Sequence, residues 1–172
     1  MFPDFKDLLS VLNAHKVKYP VVGGQAVIVH AQPRTTKDLD ILIQPAPKNG
    51  AALFRALQEF GAPLRNLTAA DFIEKGTFFT MGVPPVAIDI LAEIKGVSFA
   101  AAWKNRSTEI VDTETGLAAH FISREDLIKA KLAAGRPQDI ADVEALRIAA
   151  ASKVPKTRKA RPRAKTKSST RR

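Results

Sequence analysis

Apolar residues recur at helical spacing at Phe5, Leu8, Leu9 and Leu12, which predicts a first helix over 3–15. Tyr19-Pro-Val-Val22 reads as a short buried strand ending at Gly23-Gly24, and 25–30 reads as a helix, so the glycines fall on a strand-to-helix turn. Leu39-Asp-Ile-Leu-Ile43 is a predicted strand. Its period of two puts Asp38 and Asp40 on one face and Leu39 and Ile41 on the other. Pro47 opens a helix through Phe60. The stretches 77–81 and 86–91 read as two strands joined by Gly82-Val-Pro-Pro85, and 109–112 with 118–122 as a further hairpin. Ser123-Arg-Glu-Asp126 has a hydroxyl cap with an acid three residues on, predicting a helix that stops at Gly135. A last helix runs from Pro137 to about Ala151. Helices and strands are mixed without strict alternation, so the expected fold is α+β, a small mixed β-sheet flanked by helices with C-terminal helices.

Composition changes this picture mainly at one end. Ten of the 27 cationic residues lie in 152–172, where there is no acid, and the remaining 17 balance the 17 acids. The chain therefore reads as a neutral domain over 1–151 with a basic tail over 152–172. The tail has two prolines and one apolar side chain larger than alanine, too little to offset its ordering entropy, so it is expected to be disordered. Two readings of it stay open: an arm that holds RNA or DNA by counterion release, and a solubilising extension. No stretch approaches the roughly 20 apolar residues of a membrane helix, and the first residues lack the order of a signal peptide. With no cysteine, disulfides and thiolate metal sites are excluded. The expected compartment is the cytoplasm, without membrane association.

The candidate chemistry lies in three acids on apolar strands. Asp38 and Asp40 share a face, and Asp89 sits within Val86-Ala-Ile-Asp-Ile-Leu91, where an unpaired carboxylate would cost several kcal/mol to bury. Three converging carboxylates call for cations. Oxygen-only ligands suit Mg²⁺ or Mn²⁺, the ions of phosphoryl and nucleotidyl transfer. Upstream, Gly23 and Gly24 have no Cβ to keep a phosphate from backbone N–H groups at a helix N-terminus.

Val22-Gly23-Gly24, thirteen residues, Asp38-Leu39-Asp40-Ile41 and then Ile88-Asp89-Ile90 resemble the nucleotidyltransferase superfamily of the DNA polymerase β type. Arg34-Thr-Thr-Lys-Asp-Leu-Asp40 and the segment from Lys131 through Arg136 and Asp139 to Asp142 look like the bacterial branch related to abortive-infection toxin nucleotidyltransferases. The resemblance spans most of 20–147. It implies transfer of an NMP unit from an NTP to an acceptor hydroxyl, with Asp38, Asp40 and Asp89 as catalytic metal ligands. It further implies that Gly23, Gly24 and Lys131 contact the triphosphate and that Arg34 steadies the metal strand or the phosphates. Short length leaves little room for the C-terminal substrate domain of longer toxin relatives, and Pro137-Gln138 departs from their pattern. The acceptor thus stays open: RNA such as a tRNA end, favoured by the tail, a hydroxyl on a partner protein, or a small molecule. A catalytically silent nucleic-acid-binding or toxin–antitoxin partner protein is the alternative. Arg136, Asp139 and Asp142 fit an ion-pair network between helices as well as a site. The histidines His15, His30 and His120 lack ligand spacing, and Trp103 and the phenylalanines read as core.

Overall fold

A computed structural model describes residues 1–31, 35–83 and 86–152. The basic tail, Arg34 and the Pro84-Pro85 turn lie outside the described residues. Helix α1 (Pro3–Ala14) buries Phe5, Leu8, Leu9 and Leu12, and α3 (Pro47–Phe60) buries Ala52, Leu53, Ala56 and Leu57. Both begin on a proline, whose fixed φ suits the first helical turn. α3 ends at Gly61 with φ 83°, a left-handed conformation that glycine adopts without a Cβ penalty.

Strand β1 (Asp38–Leu42) pairs in parallel with β3 (Ala87–Leu91), and β2 (Phe78–Met81) pairs antiparallel with β3, giving the order β1-β3-β2. A hairpin of β4 (Ser107–Asp112) and β5 (Leu117–Phe121) stands beside this sheet. Val21 links the two, bridging Ile41 on one side and Phe121 on the other. The strand expected at 19–22 is thus reduced to one bridging residue. Pro20 has no N–H to offer a ladder, and Gly23 already opens α2 (Gly23–His30).

Alternation sorts the sheet's two faces. Leu39, Ile41, Ile88, Ile90 and Met81 join the α1 and α3 residues in one continuous core. Each such side chain contributes about 1.5–3 kcal/mol of burial. Asp38, Asp40 and Asp89 occupy the opposite face, as the period of two predicts.

Helix α5 (Arg124–Ala134) and α6 (Pro137–Ser152) close that second face. The Ser123 hydroxyl accepts from the Asp126 N–H at 3.2 Å, capping α5, and Gly135 ends the helix with φ 68°. Ser123→Ala should lower stability by about 1 kcal/mol. An unchanged melting temperature would show that the cap is dispensable.

One helix escaped the sequence pattern. α4 (Phe99–Asn105), capped by Ser98, is seven residues, three of them alanine, and too short to display a helical period. The aromatic residues also need correcting as a class. Phe5, Phe72 and Phe121 are buried, but Trp103 is only half-buried and Phe78 is 71% exposed. The histidines serve structural contacts: His15 meets Glu59 at 2.7 Å, His30 meets the Ile122 carbonyl at 2.6 Å, and His120 meets Thr108 at 2.9 Å. No described helix is long and apolar enough to cross a membrane.

Candidate active site

Parallel pairing of β1 with β3 sets Asp40 directly opposite Asp89, and Asp38 opposite Ala87. The sheet therefore brings together three carboxylates that lie up to fifty-one positions apart in the chain. Burial pushes the Asp40 carboxyl above its ordinary value, and the charges of Asp89 and Asp38 push it the same way. The Gly24 N–H, which donates to it, and the Lys131 ammonium act in the opposite direction and do not cancel the rise. On the far side of Asp89, the Thr80 hydroxyl donates to Oδ1 at 2.6 Å, so one oxygen of that carboxylate is held and the other is left to the cavity.

The glycine turn is fitted against Asp40. Gly23 has φ 60°, and a Cβ built on it would lie 1.9 Å from Asp40 Oδ2 and 2.6 Å from its Cγ. No side chain fits there while Asp40 keeps its place. The Val22 N–H donates to the Asp40 carbonyl at 2.8 Å, tying the start of α2 to β1. The N-terminal amides of α2 and the carboxylate face are thereby locked into one unit.

α5 and α6 supply the opposite wall. Lys131, 6% exposed, donates to Asp139 Oδ1 at 3.0 Å and sits 2.7 Å from Asp142 Oδ2. Arg136 adds a second cation, donating to Asp139 Oδ2 at 2.6 Å. Burial raises the Asp139 carboxyl, but its bonds to Arg136 and Lys131 together hold it below the ordinary carboxylate range. Asp139 thus adds stability at neutral pH that is lost as pH falls through its lowered value. Lys131→Met would remove the buried ammonium that Asp139 and Asp142 share. The cost should be about 3 kcal/mol, the low end for a broken buried pair, because Arg136 still serves Asp139. A denaturant melt checks this, and a loss under 1 kcal/mol would show that the network is not stabilising.

Between the two walls lies a cavity of about 740 Å³, a volume suited to a small-molecule ligand. Val22, Gly23 and Gly24 line it, as do Asp38, Asp40 and Asp89 and, from α5 and α6, Lys131, Arg136, Asp139 and Asp142. The structure therefore gathers every site residue expected from the sequence that is described, with Arg34 outside the described residues. It also makes Arg136, Asp139 and Asp142 both an ion-pair network and cavity wall, two roles that the sequence presented as rivals. Thr80 was missed. Only its register opposite Asp89 gives it a role, although its alternation with Phe78 on the polar face of β2 was readable.

Among the described residues, no group of three acids and histidines forms a ready cage for an ion. Mg²⁺ is ordinarily held by one or two carboxylates completed by other oxygen ligands and water, and the all-oxygen donor set of Asp38, Asp40 and Asp89, with Asp89 and Asp38 repelling Asp40, fits such an ion.

A mixed sheet with its carboxylate face turned toward two C-terminal helices is the nucleotidyltransferase fold. Residues 4–169 match the family described as "Nucleotidyltransferase of unknown function (DUF6036)", and the chain belongs to that family. Its fold is similar to that of an antigenic nucleotidyltransferase-like protein from Paracoccidioides brasiliensis, with a TM-score of 0.55 at 15% identity over 87% of this chain and 75% of that one. No curated protein matches the chain in sequence.

Proposed function

We propose that the protein is a metal-dependent nucleotidyltransferase that moves an NMP unit from an NTP to an acceptor hydroxyl and releases pyrophosphate. The observation that carries this reading is the Asp40–Asp89 pair on adjacent parallel strands, with Gly23 pressed against Asp40 and the Gly24 N–H donating to it.

Asp38, Asp40 and Asp89 would hold Mg²⁺ or Mn²⁺. The ion would neutralise the polyphosphate and make the α-phosphorus easier to attack. The amides at the start of α2 meet the terminal phosphates, where the absence of Cβ atoms permits close approach. The acceptor oxygen forms a bond to the α-phosphorus as the bond to the β-phosphate oxygen breaks. The proton lost by the acceptor passes to the Asp89 carboxylate, and the electron pair leaves with pyrophosphate. Lys131 acts on Asp40 through its charge and is shared between Asp139 and Asp142. It offsets negative charge at the leaving group less strongly than a free ammonium, and Arg136 supports it from the rim.

Incubation with each α-³²P-labelled NTP, Mg²⁺ and total cell extract tests the reading. Mg²⁺-dependent label on a macromolecule supports it and shows whether RNA or protein is the acceptor. Absence of label, together with equal NTP affinity in EDTA and in Mg²⁺, overturns it in favour of a binding protein without turnover.

A further inference from the structure

The cavity changes character along the direction of the strands. β1 and β3 run parallel, so both begin at one end of the cavity and finish at the other. Lys37 and Asp38 line it at the start of β1. Leu91 lies two residues beyond Asp89 and shares its face, so the carboxylates give way to an apolar side chain toward the far end. The chain then reaches Ile94, which bridges Val97 across the two-residue turn Lys95-Gly96. Leu91, Ile94 and Lys95 all line the cavity, and Leu127, Ala130 and Ala134 line it from α5. The order from the site outward is therefore carboxylates, an apolar stretch, and an ammonium.

The turn that carries this ammonium is seated on α5. Gly96 has φ 77°, and a Cβ built on it would lie 2.7 Å from the Ala133 Cβ and 3.1 Å from the Lys129 carbonyl oxygen. Backbone thus packs directly on the helix, which fixes the point where the Lys95 side chain leaves the chain. Among the described residues that side chain has no ion-pair or hydrogen-bond partner. Lys131, by contrast, is taken up by Asp139 and Asp142.

The phosphates of an NTP belong with the carboxylates and the α2 amides, which leaves the apolar stretch for the flat base and puts Lys95 at the base's outer edge. Pockets of this kind fix orientation with a few placed polar groups on apolar walls. An ammonium has three donors and accepts nothing. It bonds a ring carbonyl, as lysine does with guanine, and meets an exocyclic amino group donor to donor.

We infer that the apolar stretch is the base slot and that Lys95 selects nucleotides whose base carries a carbonyl where adenine and cytosine carry an amino group, namely guanine and uracil nucleotides. This rests on the nucleotidyltransferase reading and assigns its nucleotide class. Lys95 sets specificity and takes no part in bond making.

The test is calorimetry of the full chain in Mg²⁺ with two matched pairs. Inosine triphosphate (ITP) carries a carbonyl in place of the C6 amino group of ATP, and UTP differs from CTP in the same way at C4. The wild type should bind ITP and UTP about tenfold tighter than their partners, toward the lower end for one placed base contact because Lys95 is exposed. Lys95→Met keeps the stem and removes the donors. It should bring ITP and UTP down to the level of ATP and CTP and leave the binding of inorganic triphosphate unchanged. Lys95→Arg still only donates and should keep most of the preference. Both variants should melt like the wild type, which separates specificity from folding. Equal affinities within each wild-type pair, or a preference for ATP and CTP, would overturn the inference. An equal loss for all four nucleotides and inorganic triphosphate in Lys95→Met would also overturn it, by moving Lys95 to the phosphates. Absence of Mg²⁺-dependent binding of any nucleotide would remove the parent reading and this one with it, whereas binding without the pairwise preference removes only this one.

Discussion

Asp40→Asn is expected to reduce nucleotide transfer by at least roughly a hundredfold, the scale of losing one preorganised electrostatic group at a reacting phosphate. The substitution preserves shape and the bond from the Gly24 N–H but removes the charge. It should also abolish the tightening of NTP binding by Mg²⁺. Stability should move the other way. Burial and the charges of Asp89 and Asp38 raise the folded carboxyl above its unfolded value, so the folded state binds more protons than the unfolded one in the interval between them. The wild type therefore loses stability as pH rises from the ordinary carboxylate range through the raised value. The asparagine variant escapes that loss, and without metal its advantage should grow across this interval and then level off. Melting curves against pH in EDTA, paired with a transfer assay, check both halves. Retained transfer would remove Asp40 from the chemistry. A melting difference independent of pH would mean that the carboxylates do not interact as described.

Gly23→Ala should damage fold and site together. A left-handed φ costs a residue with a Cβ about 1–2 kcal/mol, and the added methyl would meet Asp40 Oδ2 at 1.9 Å, so the carboxylate or the start of α2 must move. The combined loss is expected to be roughly 2–4 kcal/mol, with NTP binding in Mg²⁺ weakened severely. Gly61→Ala is the matched control. Its φ is 83° and nothing lies within 4 Å of the added Cβ, so it carries the backbone cost alone. Gly61→Ala should melt earlier and bind nucleotide normally. If both variants bind nucleotide equally well, the close approach of Gly23 to Asp40 has no role in the site.

The sequence by itself determined the elements whose signals are local. Pro47 at the start of α3, Ser123 at the head of α5 and Gly135 at its end each act through backbone groups a few residues away, so their effect is readable in order along the chain. The alternation at Asp38-Leu39-Asp40-Ile41 likewise settled which strand face is polar, because the period of two is a property of the extended backbone. Local signals faded at α4, which is too short for a period, and at Phe78, whose ring belongs to the polar face although its chemistry is that of the core. Tertiary structure alone decided which residues meet. The parallel register of β1 and β3 put Asp40 opposite Asp89, and the antiparallel register of β2 put Thr80 behind it. The packing of α5 against α6 turned Lys131, Arg136, Asp139 and Asp142 from a spaced motif into a buried ion-pair wall. Register and helix packing are fixed by contacts between segments far apart in the chain. The sequence therefore supplies the carboxylates and glycines, while only the folded sheet sets the distances at which they repel, bond and leave room for a ligand.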